Sequence, residues 1–148
     1  MSVNPTRVLQ FYQNFGKFYT RRFAALSEES GLSLRELQVL LFLANNPGYD
    51  TARDITQLRG ISKSQVSQAV DLLWAEGLVE RETDTADRRI VHLSITEEGL
   101  PVTRQAQAIQ DSCSARLLAG FSPEEICQLM ALVERVIGNA EAMAGEVE

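Results

Sequence analysis

The sequence has 148 residues, and 45% apolar composition is that of a globular protein, which excludes a long disordered chain. Lys and Arg total 14 against 20 Asp and Glu, a net charge of -6. That balance excludes a chain that coats nucleic acid or anionic membrane indiscriminately, so any such binding must be local.

From Asn4 to about Leu26 the residues Val8, Phe11, Tyr12, Phe15, Phe18, Tyr19 and Phe23 recur at spacings of three and four, which predicts an amphipathic helix with a broad aromatic stripe. Gly31 ends that segment. Ser33-Leu-Arg-Glu36 has the form of a capping box, and a second helix follows it to Asn45. Asn46-Pro-Gly-Tyr-Asp50 reads as a turn, with Asp50 expected to cap a third, short helix from Thr51 to about Leu58. Arg59-Gly60-Ile61 breaks that helix, and Ser62-Lys-Ser-Gln65, a second capping-box pattern, opens a fourth. Its buried side would be Val66, Ala69, Val70 and Leu73, with Gly77 as the stop.

The period then changes. Leu78 to Thr83 and Arg89 to Ile95 suit two strands joined by the turn Asp84-Thr-Ala-Asp87. Thr96-Glu-Glu-Gly99 reads as the start of a helix running to about Leu118. Ser122-Pro-Glu-Glu125 opens the last helix, with Pro at its first position and acids in its first turn. The apolar face of that helix is Leu129, Met130, Leu132, Val133, Val136 and Ile137. No linker or repeat divides the chain, so a single domain over 1–148 is expected.

A short helix, a glycine turn, a capped helix and a hairpin form a winged helix-turn-helix, within a mostly α (α+β) fold. With Val66 and Val70 buried, Ser64 and Gln68 point outward and Lys63, Gln65 and Ser67 flank them. All are polar and none is acidic. Gln pairs with adenine, Lys with guanine and Ser with either, whereas a carboxylate there would meet phosphate repulsion. The N-cap at Ser62 aims free N–H groups ahead of the helix, where a phosphate fits. The hairpin tip ends in Arg88 and Arg89, the side chain drawn to a narrow minor groove, and Asp87 is placed to brace one of them.

The run Asp87-Arg-Arg-Ile-Val-His-Leu-Ser-Ile-Thr-Glu-Glu-Gly99 resembles the wing and following helix start of the MarR family of bacterial transcriptional regulators. Ile61-Ser-Lys-Ser-Gln-Val-Ser67 and Leu73-Trp-Ala-Glu-Gly-Leu-Val-Glu-Arg81 resemble its recognition helix and exit, and the likeness extends over almost the whole chain. The resemblance implies that Asp87 orders the wing, that Arg89 enters the minor groove with Arg88 on a phosphate, and that Thr51 and Arg53 touch the DNA backbone. It also implies a ligand-relieved repressor that binds near-palindromic double-stranded DNA as a homodimer. A lobe at 32–96 would read the DNA, and 4–30 with 97–148 would supply long dimerisation helices. Relatives of this family take small aromatic or phenolic effectors, for which the candidate lining is Phe11, Tyr12, Phe15, Phe18 and Tyr19.

From Thr51 to His92 there are 6 basic residues and 7 acidic ones, a net of -1, so affinity must come from a few well-placed cations. The acidic balance leaves open a second reading, a winged helix used for protein–protein contact without DNA. No phosphate loop, nucleophile elbow or paired-carboxylate site points to an enzyme. Cys113 and Cys127 with the lone His92 cannot assemble a disulfide framework or a zinc site, so no cofactor or metal is expected. Both thiols are expected to be buried and structural, and His92 to be a surface residue or a wing contact. No run approaches the ~18 to 20 apolar residues of a membrane span. The N-terminal MSVNPTRVLQ lacks the core of a secretory signal, and a cytoplasmic protein is expected.

Overall fold

A computed structural model describes residues 4–146; residues 1–3, the start of the N-terminal stretch read above, and 147–148 lie outside it. Among the described residues the order is α1 (Pro5–Ser30), α2 (Leu34–Asn45), α3 (Ala52–Arg59), α4 (Lys63–Ala75), β1 (Val79–Thr83), β2 (Val91–Ile95), α5 (Leu100–Leu117) and α6 (Pro123–Gly145). This is the expected winged helix-turn-helix order, four helices, an antiparallel hairpin and two further helices. The chain divides into two compact units, 1–113 and 114–148.

In the first unit α2 is the hub: it packs on α1, α4 and β2, while α3 and β1 pack on α4. Leu37, Leu40, Ile55, Val66, Leu73 and Val79 are buried there, each contributing about 1.5–3 kcal/mol of apolar burial. All four residues expected on the inner side of α4 are buried. Only Ile55 of α3 is buried, and Ile61 follows it into the core after the turn, so Leu58 is left exposed and Arg59 completes the helix. Gly60 sits at φ 63, a left-handed conformation that glycine takes without steric cost.

Side-chain caps fix the helix starts. Ser33 and Glu36 form the expected box, as do Ser122 and Glu125 in the second unit. Three expectations are corrected. Asp50 does not cap α3: Thr51 does, in a box with Asp54, and the Asp50 carboxylate is turned to His92 instead. The Ser62 cap is a single bond, Gln65 N–H to Ser62 Oγ at 3.3 Å, with no return bond from the Gln65 side chain. Thr96 does not open α5, which begins at Leu100. Thr96 Oγ1 donates to the Gly77 carbonyl at 2.6 Å and accepts from Gly99 N–H, docking 96–99 on the β1 entry. A Cβ at Gly99 would lie 2.3 Å from the Leu78 carbonyl oxygen, so only glycine permits this approach. α1 also runs one turn past Leu26, through the polar Ser27 to Ser30, to the left-handed Gly31.

In the second unit no residue of α6 is buried, and Met130, Leu132, Val133, Val136 and Ile137 are all exposed, Val136 at 67%. Cys127 shares that exposure, which corrects the expectation of a buried thiol. Cys113, in the first unit, is buried as expected.

Candidate nucleic-acid interface

α4 carries the candidate reading surface. Lys63, Ser64, Gln65, Ser67 and Gln68 are all exposed, as is the N-cap Ser62, so the outward face is polar and acid-free over its first two turns. The first carboxylate on the helix, Asp71, is neutralised: Arg81 of β1 donates to it, and the same guanidinium lies 4.8 Å from the centre of the Trp74 ring. Sequence spacing concealed this tie, because its partners sit on different elements.

The hairpin pairs Val79 with Ile95 through Thr83 with Val91. Its tip is held from within. Asp84 accepts the N–H groups of Ala86 and Asp87 at 2.9 and 2.8 Å, an Asx-type turn. Asp87 then accepts from Arg89 three times: from the backbone N–H at 3.0 Å, from Nε at 3.1 Å and from a terminal guanidinium nitrogen at 3.0 Å. The bidentate fork fixes the guanidinium direction while the Arg89 side chain stays 90% exposed. These bonds hold the Asp87 carboxyl below its ordinary range and Arg89 above its own. Of the two arginines at the tip, Arg89 is thus the one that Asp87 holds.

Among the described residues Arg53, Lys63 and Arg88 make no ion pair. Of the acids in the same stretch, Asp71 and Asp87 face arginines and Asp54 is occupied by Thr51. With Arg59, the net of -1 therefore hides four cations outside any ion pair, while four of the seven acids, Asp54, Asp71, Asp84 and Asp87, are engaged within the lobe. Thr51 is half-buried in its capping box, and Arg53 is exposed on the first turn of α3.

His92 is the residue whose role the sequence did not reveal. Its Nδ1 lies 2.8 Å from Asp50 Oδ1 and its Nε2 2.9 Å from Asp84 Oδ1, so the ring bridges the α2–α3 loop and the wing. The two carboxylates raise its pKa to about 9, and the bond to His92 is the largest of the causes that lower Asp84. The backbone reinforces the join, Leu93 N–H donating to the Asp50 carbonyl at 2.7 Å. Among the described residues no group of His, Cys, Asp and Glu could hold a metal.

The aromatic stripe of α1 is a ladder. Ring centres lie 6.1 Å apart for Phe11 and Phe15, 5.9 Å for Phe15 and Tyr19, and 4.7 Å for Tyr19 and Phe23. The inner end, Phe23, belongs to the core, Phe18 is half-buried, and the outer end, Phe11 and Tyr12, is exposed. Burial pushes the Tyr19 phenol up.

Residues 30–90, which span the helix-turn-helix and the wing tip, match the model of the MarR family. Over its winged helix, the chain is similar to the MarR family. This is a family of transcriptional regulators, not of enzymes. Solved structures extend the likeness beyond that segment. The transcriptional regulator PA3341 is 26% identical, with a TM-score of 0.76 over 93% of this chain and 97% of the other. CouR from Rhodococcus jostii RHA1, bound to p-coumaroyl-CoA, is 25% identical, with a TM-score of 0.67 over 85% and 88%. BpsR of Bordetella bronchiseptica, whose DNA binding is regulated by 6-hydroxynicotinic acid, shares the fold at 20% identity, with a TM-score of 0.66 over 88% and 98%. No helix among the described residues is long and apolar enough to cross a membrane.

Proposed function

We propose that this chain is a homodimeric, sequence-specific double-stranded DNA-binding repressor that a small aromatic or phenolic molecule releases from its operator in the cytoplasm. The observation that carries the reading is the pairing of an exposed, acid-free α4 face with a wing arginine aimed by Asp87. In this reading Ser62, Lys63, Ser64, Gln65, Ser67 and Gln68 face the major groove and Arg89 enters the minor groove. Arg88, Thr51 and Arg53 meet the backbone. The lobe at 32–96 does the reading, and 4–30 with 97–148 pair two copies.

The exposed apolar residues of α1 and α6 support pairing, because a free chain seldom leaves so many large apolar side chains in water. A two-fold dimer sets two recognition helices about 34–36 Å apart, one DNA turn, and so calls for a near-palindromic operator. The effector reading draws on CouR and BpsR, whose ligands both carry a hydroxylated aromatic ring, with Phe11, Tyr12, Phe15, Phe18 and Tyr19 as the candidate lining here. Such a ligand need only favour the helix spacing that does not fit DNA.

The test is a gel shift on the sequence upstream of the protein's own gene. A discrete complex with the wild type, lost in the Arg88→Ala/Arg89→Ala double variant, is expected. Retained binding by that variant would remove the wing from the mechanism, and no shift at low ionic strength would leave a protein–protein module.

A further inference from the structure

We propose that His92 is a positioning residue for the wing: as an imidazolium clamped between Asp50 and Asp84, it ties the hairpin to the α2–α3 loop and holds Arg89 at the angle that DNA binding requires. The inference rests on the DNA-binding reading above. Its ground is geometric. Both ring nitrogens lie within hydrogen-bond distance of carboxylate oxygens, at 2.8 and 2.9 Å. A neutral imidazole has one N–H and one lone pair, so one of these contacts would set lone pair against lone pair. Only the imidazolium donates to both.

The two carboxylates belong to different parts of the lobe. Asp50 precedes α3, whose N-cap Thr51 and exposed Arg53 follow it directly. Asp84 opens the wing turn and also holds the N–H of Asp87, the residue that aims Arg89. Removing the proton would therefore loosen the join at its loop end or its wing end. Other charged groups around the ring have their own engagements or point to water. Glu82 lies across from His92 in the hairpin register and is exposed. Asp54, Asp87, Arg53 and Arg89 line the groove that the clamp closes, Asp54 held by Thr51 and Asp87 by Arg89. The imidazolium also brings the charge from Thr51 to His92 from 6 − 7 = -1 to zero, which lessens repulsion from phosphate.

Because the chain has a single histidine, its ring signals can be followed by nitrogen-resolved NMR without ambiguity. The expected midpoint is about 9 in the wild type, falling toward the free value in Asp50→Asn. Duplex affinity on the upstream sequence is expected to hold level from neutral pH and then to fall through that midpoint toward the roughly tenfold weaker level of His92→Gln. His92→Gln should bind about tenfold more weakly at neutral pH, with a flat profile over the same range, and His92→Arg, a permanent cation able to fork between the carboxylates, should recover affinity without the pH dependence. An ordinary midpoint in the wild type, or the same affinity profile for wild type and His92→Gln, would overturn the proposal while leaving the DNA-binding reading intact. If the wild type binds no duplex at any pH, the DNA-binding reading fails and the positioning role falls with it; an elevated midpoint would then mark a structural clamp alone.

Discussion

At the residue scale, the Asp87–Arg89 fork is where local chemistry and function meet. Its partners are two residues apart, and an Asp before adjacent arginines at a hairpin tip announces it. Arg89→Ala is expected to weaken duplex binding by about 1–3 kcal/mol, measured by fluorescence anisotropy, with unfolding unchanged because the side chain is exposed. The His92 bridge was not legible, since its partners lie 42 and 8 residues away and only the fold brings them to one ring. For the same reason Asp50 reads as a cap in the sequence while its carboxylate serves the wing. The raised His92 pKa sets the sign of the pH dependence. A group that titrates at 6.5 unfolded and about 9 folded lends stability that is full below 6.5 and lost as pH rises through about 9. Thermal unfolding of the wild type should therefore lose ground to His92→Gln between those pH values. Asp84, lowered by the same contact, acts on the acid side: its contribution is present above its ordinary value and is lost as pH falls through the lowered one.

At the element scale, most boundaries were written in short-range chemistry. Ser33 with Glu36, Ser122 with Glu125, the inner face of α4 and the glycine turn before it all depend on neighbours within four residues. The start of α5 was missed because Thr96 and Gly99 bond and pack against Gly77 and Leu78, a contact across the hairpin that no local pattern records. Gly99→Ala is therefore expected to destabilise the fold by about 1–3 kcal/mol, read from a lower denaturant midpoint, because the new Cβ meets backbone rather than a movable side chain. Ser62→Ala removes the one bond that caps the recognition helix, with an expected cost of about 0.5–2 kcal/mol by the same measurement. Under the proposed function, loss of DNA affinity should accompany it, since that helix end would face a phosphate.

At the scale of the whole molecule, the proposed function asks an acidic chain to bind a polyanion, and cations outside any ion pair would supply the local attraction. Arg53, Arg59, Lys63 and Arg88 make no ion pair among the described residues, while Asp54, Asp71 and Asp87 are each held by a partner. The apolar faces of α1 and α6 were legible in the sequence as surface that pairing would cover, and both helices expose large apolar side chains. Sedimentation velocity is expected to give a dimer, and Val136→Glu, on the most exposed part of α6, to shift it toward monomer. The most direct measurement is the affinity of the wild type and of Arg88→Ala/Arg89→Ala for a duplex of the upstream inverted repeat, titrated over salt concentration. With ~6 to 8 phosphates neutralised by the dimer, log K should fall against log salt with a slope of about -5 to -7, and more shallowly for the double variant. Equal slopes and affinities for the two proteins would contradict the role of the wing, and no binding at low salt would contradict DNA recognition altogether.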